Sequence, residues 1–423
     1  MSTGPNSLPG QPEPMSMGAV LRVPVMRRLW YAQIVSTFGD FLALFAVIGV
    51  LTFSLRATPE QVTGLQIAYL LPIAILGILA GVFVDRWPLK PTLVASDLLR
   101  AVLCLLLVWA HSLWHFYLIL AGISVVSSFF GPAQGVAIRS AVPLHGLRSA
   151  NALLQQVMFG MRIIGPAIAA FIVASFGARV CYLADSASFV ASGCLIATLA
   201  ISRPVTPAAA TQPRTNQKSG LAAILPDMRE GISFIVHHAA LLFVILALAA
   251  GMFVLGCFGP LIAVYVRDSL HASTRVFGIA SAMIGVGMFL GINALNTFGK
   301  NLRNELLVYG GLGGIALGLC FLTGITQVWA TILGNLIIGF AVAGIVVPSN
   351  TMIQQETPPA LMGRVGSTVM SLIFTAQILG LLLSGQLAGR IGVRHVFAYC
   401  AAMLVALIIA GKLFMEPKPA VKP

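Results

Sequence analysis

The chain has 423 residues, 58% of them hydrophobic and only 9% charged, with a formal net charge of +13 at pH 7 and a mean hydropathy of +0.95. Soluble domains carry about 25% charged residues, so a soluble enzyme and a soluble nucleic-acid binder are both excluded, and the basic excess has to be read loop by loop. The alternation of apolar and polar residues that a membrane barrel needs is absent, which leaves an all-α integral membrane protein.

From the N-terminus, residues 1–24 hold Pro5, Pro9, Pro12, Pro14 and Pro24 among Ser and Gly and lack the apolar core of a secretion signal, so they read as a disordered cytoplasmic tail. Apolar runs then predict helices over 28–55, 61–84, 91–110, 114–138, 149–175, 179–201, 239–266, 275–298, 305–324, 327–352, 363–389 and 393–415. The longest connection, 202–238, divides these twelve spans into bundles of six over 25–201 and 239–415, with a cytoplasmic tail over 416–423. That linker mixes Pro, Ala, Thr and basic residues and ends in a segment, Gly231 to Val236, suited to lie on the inner surface as an interfacial helix.

An even number of spans puts both termini on one side. With that side taken as the cytoplasm, seventeen Lys and Arg residues fall on inner connections, against Arg56, Arg179, Arg267, Arg275, Arg390 and Arg394 outside, the bias expected in the inner membrane of a bacterium. Trp109 and Trp114 at the outer level and Trp30 and Trp87 at the inner one mark the same boundaries.

Charges inside the spans are few. Asp40 lies about twelve residues into the first span, where an ionised carboxylate costs about 2.5–3.5 kcal/mol, so it is the leading candidate for taking up a proton. The plainer reading is a polar contact between helices, with Arg162 as partner. The second span ends in Gly77 and Gly81 at helical spacing, and the turn after it holds Asp85, Arg86 and Lys90. A carboxylate there suits the positive N-terminal end of another helix, with the eleventh span near Arg364 as its target; the alternative is a solvated turn. Asp97 and Arg100 share a face of the third span and are expected to neutralise each other or to brace that turn.

In the fifth span, Arg162 sits among Gly160, Gly165 and Pro166, deep enough to need a partner, either Asp40 or an anionic substrate. Asp185, about six residues into the sixth span, is expected near the outer interface within reach of water, and ranks second for protonation. No Asp, Glu, Lys or Arg falls in the middle of the last six spans, so any coupling by charge belongs to the first half. The halves nevertheless echo each other. Gly77 and Gly81 answer to Gly287 and Gly291, and Pro132, Pro143 and Arg148 answer to Pro348, Pro359 and Arg364, the internal symmetry found in many membrane carriers.

Gly81, Asp85, Arg86 and Lys90 resemble the signature between the second and third helices of the major facilitator superfamily, with Pro88 and Leu89 in place of its second glycine and first basic residue. Asp97 and Arg100 in Ser-Asp-Leu-Leu-Arg-Ala, with Phe-Phe-Gly-Pro-Ala at 129–133 and Ser-Ala-Asn-Ala-Leu at 149–153, resemble its drug:proton antiporter branch, which includes macrolide and enterobactin exporters. Gly160, Gly165 and Pro166 resemble the antiporter signature of the fifth helix, although Ala169 and Ala170 stand where that signature has glycines. The resemblance implies twelve transmembrane helices in two pseudo-symmetric six-helix bundles, an inner gate held by Asp85, a small-molecule substrate, protons as the coupling partner, and a monomer in the lipid bilayer. The expected function is proton-coupled export of amphipathic drugs or metabolites by alternating access. Its rivals are an uptake carrier or flippase-like transporter for a lysolipid or siderophore, and a membrane scaffold or sensor that moves nothing.

No cofactor, metal or nucleic-acid partner is expected. The cysteines all lie within spans and lack Cys-x-x-Cys spacing, so they read as packing residues, and the pair His237 and His238 reads as interfacial. An enzyme is not expected either, since neither a Ser-His-Asp context nor a Walker A lysine loop is present.

Overall fold

In a computed structural model, the described residues are 15–84, 87–199, 232–299, 302–358 and 361–414. Among them are twelve long helices: α1 (Pro24–Gly49), α2 (Pro59–Val84), α3 (Leu89–Leu106), α4 (Leu113–Ala141), α5 (Leu147–Phe176), α6 (Ala178–Ala197), α7 (Ala239–Asp268), α8 (Thr274–Phe298), α9 (Asn304–Gly324), α10 (Val328–Glu356), α11 (Met362–Ile391) and α12 (Val393–Phe414). Ten of these are long and apolar enough to cross a membrane. The fifth adds an eleventh as a pair bent by 40° between Arg162 and Ile164, just ahead of Pro166, which removes a backbone donor there. The 26 residues of α2 exceed the ~20 that a bilayer requires. Strands are absent among the described residues.

Most boundaries fall within a few residues of the sequence expectation, and two differences have physical causes. Proline is accommodated in the first turn of a helix, so α1 begins at Pro24. Within the stretch read as a tail, residues 15–24 are folded. A short helix, Met17–Leu21, is capped by Ser16, whose side chain accepts from the Ala19 amide at 3.2 Å. Val20 is buried with Met26 and Leu29, and the Ser149 hydroxyl donates to the Met15 carbonyl at 2.6 Å. Residues 1–14, the linker over 202–231 and the last tail lie outside the described residues.

The chain forms two compact units. The first comprises Met1–Val47 with Ala68–Pro207, the second Ile48–Ile67 with Ala208–Pro423. In the first, α3 packs along both α4 and α6. In the second, α10 lies against α8 and α9, and α11 against α7. Glycines allow those close approaches: a methyl group at Gly287 would sit 2.8 Å from the Phe340 amide nitrogen, and one at Gly291 2.9 Å from the Ala343 side chain. The pair that echoes Gly77 and Gly81 therefore brings α8 against α10.

The second unit also holds the hairpin between α1 and α2. A π-helical turn, Val50–Ser54, ends the first of these helices. The Arg267 guanidinium donates from Nη1 to the carbonyls of Thr52 at 2.8 Å and Ala57 at 2.7 Å, while Asp268 takes its other edge at 2.5 and 2.8 Å. An Arg267→Ala variant orphans both carbonyls and is expected to lose about 1–3 kcal/mol, read as a lower melting temperature in detergent. Arg267→Lys should recover only part of it, since an ammonium cannot offer the same fork. Equal melting temperatures for all three proteins would refute this.

Candidate functional site

The buried face of α3 carries Leu89, Leu93, Ser96, Asp97, Arg100, Ala101 and Cys104, a stripe at three- and four-residue spacing that turns polar in its middle. Facing it, α6 buries Tyr182, Asp185, Ser188, Phe189 and Ser192 at the same spacing. Each helix therefore brings its polar residues to a dry contact inside the first unit.

Arg100 is held from every direction. It pairs with Asp97 one turn back, its Nε donates to the Ser96 carbonyl at 3.4 Å, and its guanidinium lies 4.3 Å from the ring centres of both Phe130 on α4 and Phe189 on α6. Such cation–ring contacts contribute about 2 kcal/mol when desolvated. Asp97 is 0% exposed; one carboxylate oxygen meets Arg100 and the other accepts from the Ser192 hydroxyl at 2.7 Å. With both oxygens satisfied and the charge matched, the pair is a fixed, neutral element of the bundle.

Asp185 is 1% exposed, and its carboxyl hydrogen bonds among the described residues are with the neutral Cys104 and Ser188. The Cys104 thiol donates to Oδ2 at 2.9 Å, and Ser188 Oγ lies 3.3 Å from Oδ1 while donating to the Asp185 main-chain carbonyl at 2.7 Å. Against this carboxyl group packs Gly39 of α1, where a methyl group would come within 2.9 Å of the Asp185 Cα atom.

The next residue, Asp40, stands at the middle of the 31-residue element Pro24–Ser54 and is half-buried. It makes no hydrogen bond or ion pair with the described residues, but the charges of Arg100 and Asp97 bear on it, and its own charge bears on the Asp185 carboxyl group. Tyr69 of α2 lies within the same field, and its carbonyl accepts from the Ser124 hydroxyl. Beside the cluster, an apolar groove of about 580 Å³ runs between Ile34, Val35 and Phe38 of α1, Met161 and Ile164 of α5, and the α6 face that carries Ser188.

Four residues expected from the sequence thus come together: Asp40, Asp97, Arg100 and Asp185. Asp185 is away from water, because it points along the contact with α3 instead of outward. Arg162 does not join them; it is exposed on α5 and pairs with none of the described residues. Gly165 backs onto Phe41, where a methyl group would lie 2.8 Å from its Cβ, whereas one at Gly160 would meet nothing within 4 Å. Gly81 lies in the last turn of α2 and Lys90 is half-buried at the start of α3, while Asp85 and Arg86 lie outside the described residues. Ser192 and Phe189 were not anticipated, Cys104 was read as a packing residue only, and Phe130 entered only within Phe-Phe-Gly-Pro-Ala. Their only sequence signal is register with Asp97, Arg100 and Asp185, which means nothing until the partner helix is known. Among the described residues, no group of three or more His, Cys, Asp or Glu side chains is placed to hold a metal ion.

Comparison with known proteins adds relatives over nearly the whole length. The family model described as Major Facilitator Superfamily matches residues 29–374 and, in a second alignment, 246–423. An MFS-type transporter of Bacillus subtilis, YfiS, described as uncharacterized, is 27% identical over 397 residues, covering 92% of this chain and 93% of its own. Macrolide efflux protein A of Streptococcus pyogenes is 24% identical over 92% of this chain and 95% of its own. Multidrug resistance protein MdtG of Proteus mirabilis is 22% identical over 77% and 78%. Among solved structures, a bacterial homolog of the human lysosomal transporter Spinster, inward-facing and unoccupied, superposes with a TM-score of 0.71 over 94% of this chain and 99% of that one at 14% identity. That likeness is one of fold, the two-bundle arrangement of twelve helices.

Proposed function

The chain belongs to the major facilitator superfamily, and from that premise we propose that this transporter exports amphipathic drugs or metabolites in exchange for protons, working by alternating access in the cytoplasmic membrane of a bacterium with both termini inside. The observation that carries the reading is Asp40: a half-buried carboxylate at the middle of the element Pro24–Ser54, next to an ion pair that is already complete, with no partner of its own among the described residues. Such a group is stable in the apolar interior when a proton neutralises it or a cation faces it. A carrier that allows one or the other couples an inward proton to an outward substrate. The efflux relatives support the direction of transport, and the apolar groove beside Ser188 supports an amphipathic substrate. Macrolides, the compounds for which one relative is named, combine an apolar ring with a protonatable amine and fit that description.

In the same reading, Asp85 and Arg86, with Gly81 and Lys90, form the inner gate that closes between substrate loads. Small-residue contacts such as Gly165 against Phe41 keep α5 close to α1. The protein works as a monomer, since the carboxylate cluster is complete within one chain.

The test is transport of erythromycin and ethidium into everted vesicles from an efflux-deficient host under an imposed proton gradient. The wild type should concentrate both compounds and lose the ability with an uncoupler. Asp40→Asn should fall to the level of vesicles lacking the protein at unchanged abundance. Full gradient-driven accumulation by Asp40→Asn removes this residue from the mechanism, and movement in the opposite direction makes the protein an uptake carrier.

A further inference from the structure

The geometry points to a second, retained proton: Asp185 is a neutral carboxylic acid that donates to Ser188, while Asp97 stays ionised and Asp40 carries the only proton exchanged in the transport cycle. The last clause rests on the proton-coupled export proposed above; the state of Asp185 does not.

Hydrogen-bond bookkeeping carries the argument. A serine hydroxyl has one hydrogen to give, and that of Ser188 goes to the Asp185 main-chain carbonyl at 2.7 Å. The same hydroxyl also reaches Oδ1, at the longer distance of 3.3 Å, and its single hydrogen cannot serve both acceptors fully. An acid hydrogen on Oδ1, directed at Ser188 Oγ, completes the set: Oδ2 accepts from the Cys104 thiol at 2.9 Å, and both oxygens of the carboxyl group have a partner. Asp97 shows the opposite pattern, with a donor at each oxygen and a guanidinium alongside, the environment of a carboxylate ion.

The charge count agrees. The charged and titratable groups that bear on Asp185 are Asp40 of α1, Tyr69 of α2, Arg100 and Cys104 of α3, and Cys181 on its own helix, with Asp97 held on Arg100; from α4 the Phe130 ring lies against Arg100. On α5, Arg162 is exposed and outside the cluster. Among the described residues one cation thus stands with three carboxyl groups, and it is matched by Asp97. A second or third ion would be a buried uncompensated charge, which is costly in a dry interior. Access then decides which proton moves: Asp185 is sealed at 1% exposure behind Gly39, whereas Asp40 is only partly buried. Release from Asp40 leaves the cluster with one net negative charge, suited to one monovalent cation.

Infrared spectroscopy of the purified protein in lipid tests this without a substrate. At neutral pH the wild type should show two protonated-carboxyl bands from the membrane interior, one that shifts promptly on transfer to heavy water and one that shifts slowly. Asp40→Asn should remove the first and Asp185→Asn the second. Absence of a slow band in the wild type, or its persistence in Asp185→Asn, would overturn the proposal, and the wild-type spectrum decides even if a variant folds poorly. In vesicles, Asp185→Asn should keep gradient-driven ethidium transport that Asp40→Asn lacks, because an amide reproduces a neutral acid; its loss in a folded Asp185→Asn protein would show that the second proton moves. If ethidium is not carried by the wild type, the export reading fails while the infrared result stands.

Discussion

An Arg100→Ala variant is expected to leave little folded protein in the membrane. Removing the guanidinium strands Asp97, which is 0% exposed, as a buried ion with one remaining donor, Ser192. Breaking a buried pair in this way costs about 3–5 kcal/mol, and loss of the stack between Phe130 and Phe189 adds about 2 kcal/mol. Together these approach the whole stability of an ordinary domain, about 5–15 kcal/mol. Arg100→Lys should recover part of the loss, since it restores a charge but not a flat group between two rings. The informative companion is the double variant Asp97→Leu with Arg100→Met. A buried pair exchanged for apolar side chains of similar size is often neutral, so this protein should return toward wild-type yield by size-exclusion chromatography while the single variant does not. An Arg100→Ala protein with wild-type yield and melting temperature would mean that the pair is not the buried element described here.

The spans were legible because membrane helices announce themselves by length and apolarity, and the charges inside the first half stood out against that background. Their rotation about the helix axes was not legible. Asp185 and Cys104 are each a few residues from the end of a helix, a depth at which water is near; only the packing of α6 on α3 turns both inward. For the same reason Arg162 was a reasonable partner for Asp40 by depth and lies exposed on α5 instead. The hairpin between α1 and α2 escaped notice because its anchor, Arg267, binds main-chain carbonyls, which carry no sequence signature.

The contrast between the halves was visible in composition and gains a physical meaning in the fold. Between the buried faces of helices in the second unit the bonds are neutral, such as Asn335 to the Ala280 carbonyl at 2.8 Å and Tyr265 to the Leu322 carbonyl at 2.7 Å. Its helices approach through glycine. Buried charge is concentrated in the first unit, so the groups able to exchange a proton in the membrane interior are there as well.

A methyl group added at Gly39 should abolish export while leaving the ion pair intact. The new carbon would overlap Ser188 Oγ and Asp185 Oδ1 and stand 2.9 Å from the Asp185 Cα atom, and backbone cannot swing aside as a side chain can. Separation of α1 from α6 is the available relief, at a cost of about 1–3 kcal/mol for overpacking. That movement displaces Asp40, the adjoining residue, from the field of Arg100, so the effect on transport should exceed the effect on stability. Gly39→Ala should therefore lower the melting temperature modestly yet bring gradient-driven ethidium transport close to background, and Gly39→Val should do both more severely. Adding Ser188→Ala to Gly39→Ala removes one overlapping atom but leaves the clash with the Asp185 main chain, so recovery should be partial. Gly160→Ala is the matched control, because a methyl group there meets nothing within 4 Å and should leave transport unchanged. Equal transport by Gly39→Ala and Gly160→Ala would show that the packing of α1 on α6 at this point does not position Asp40.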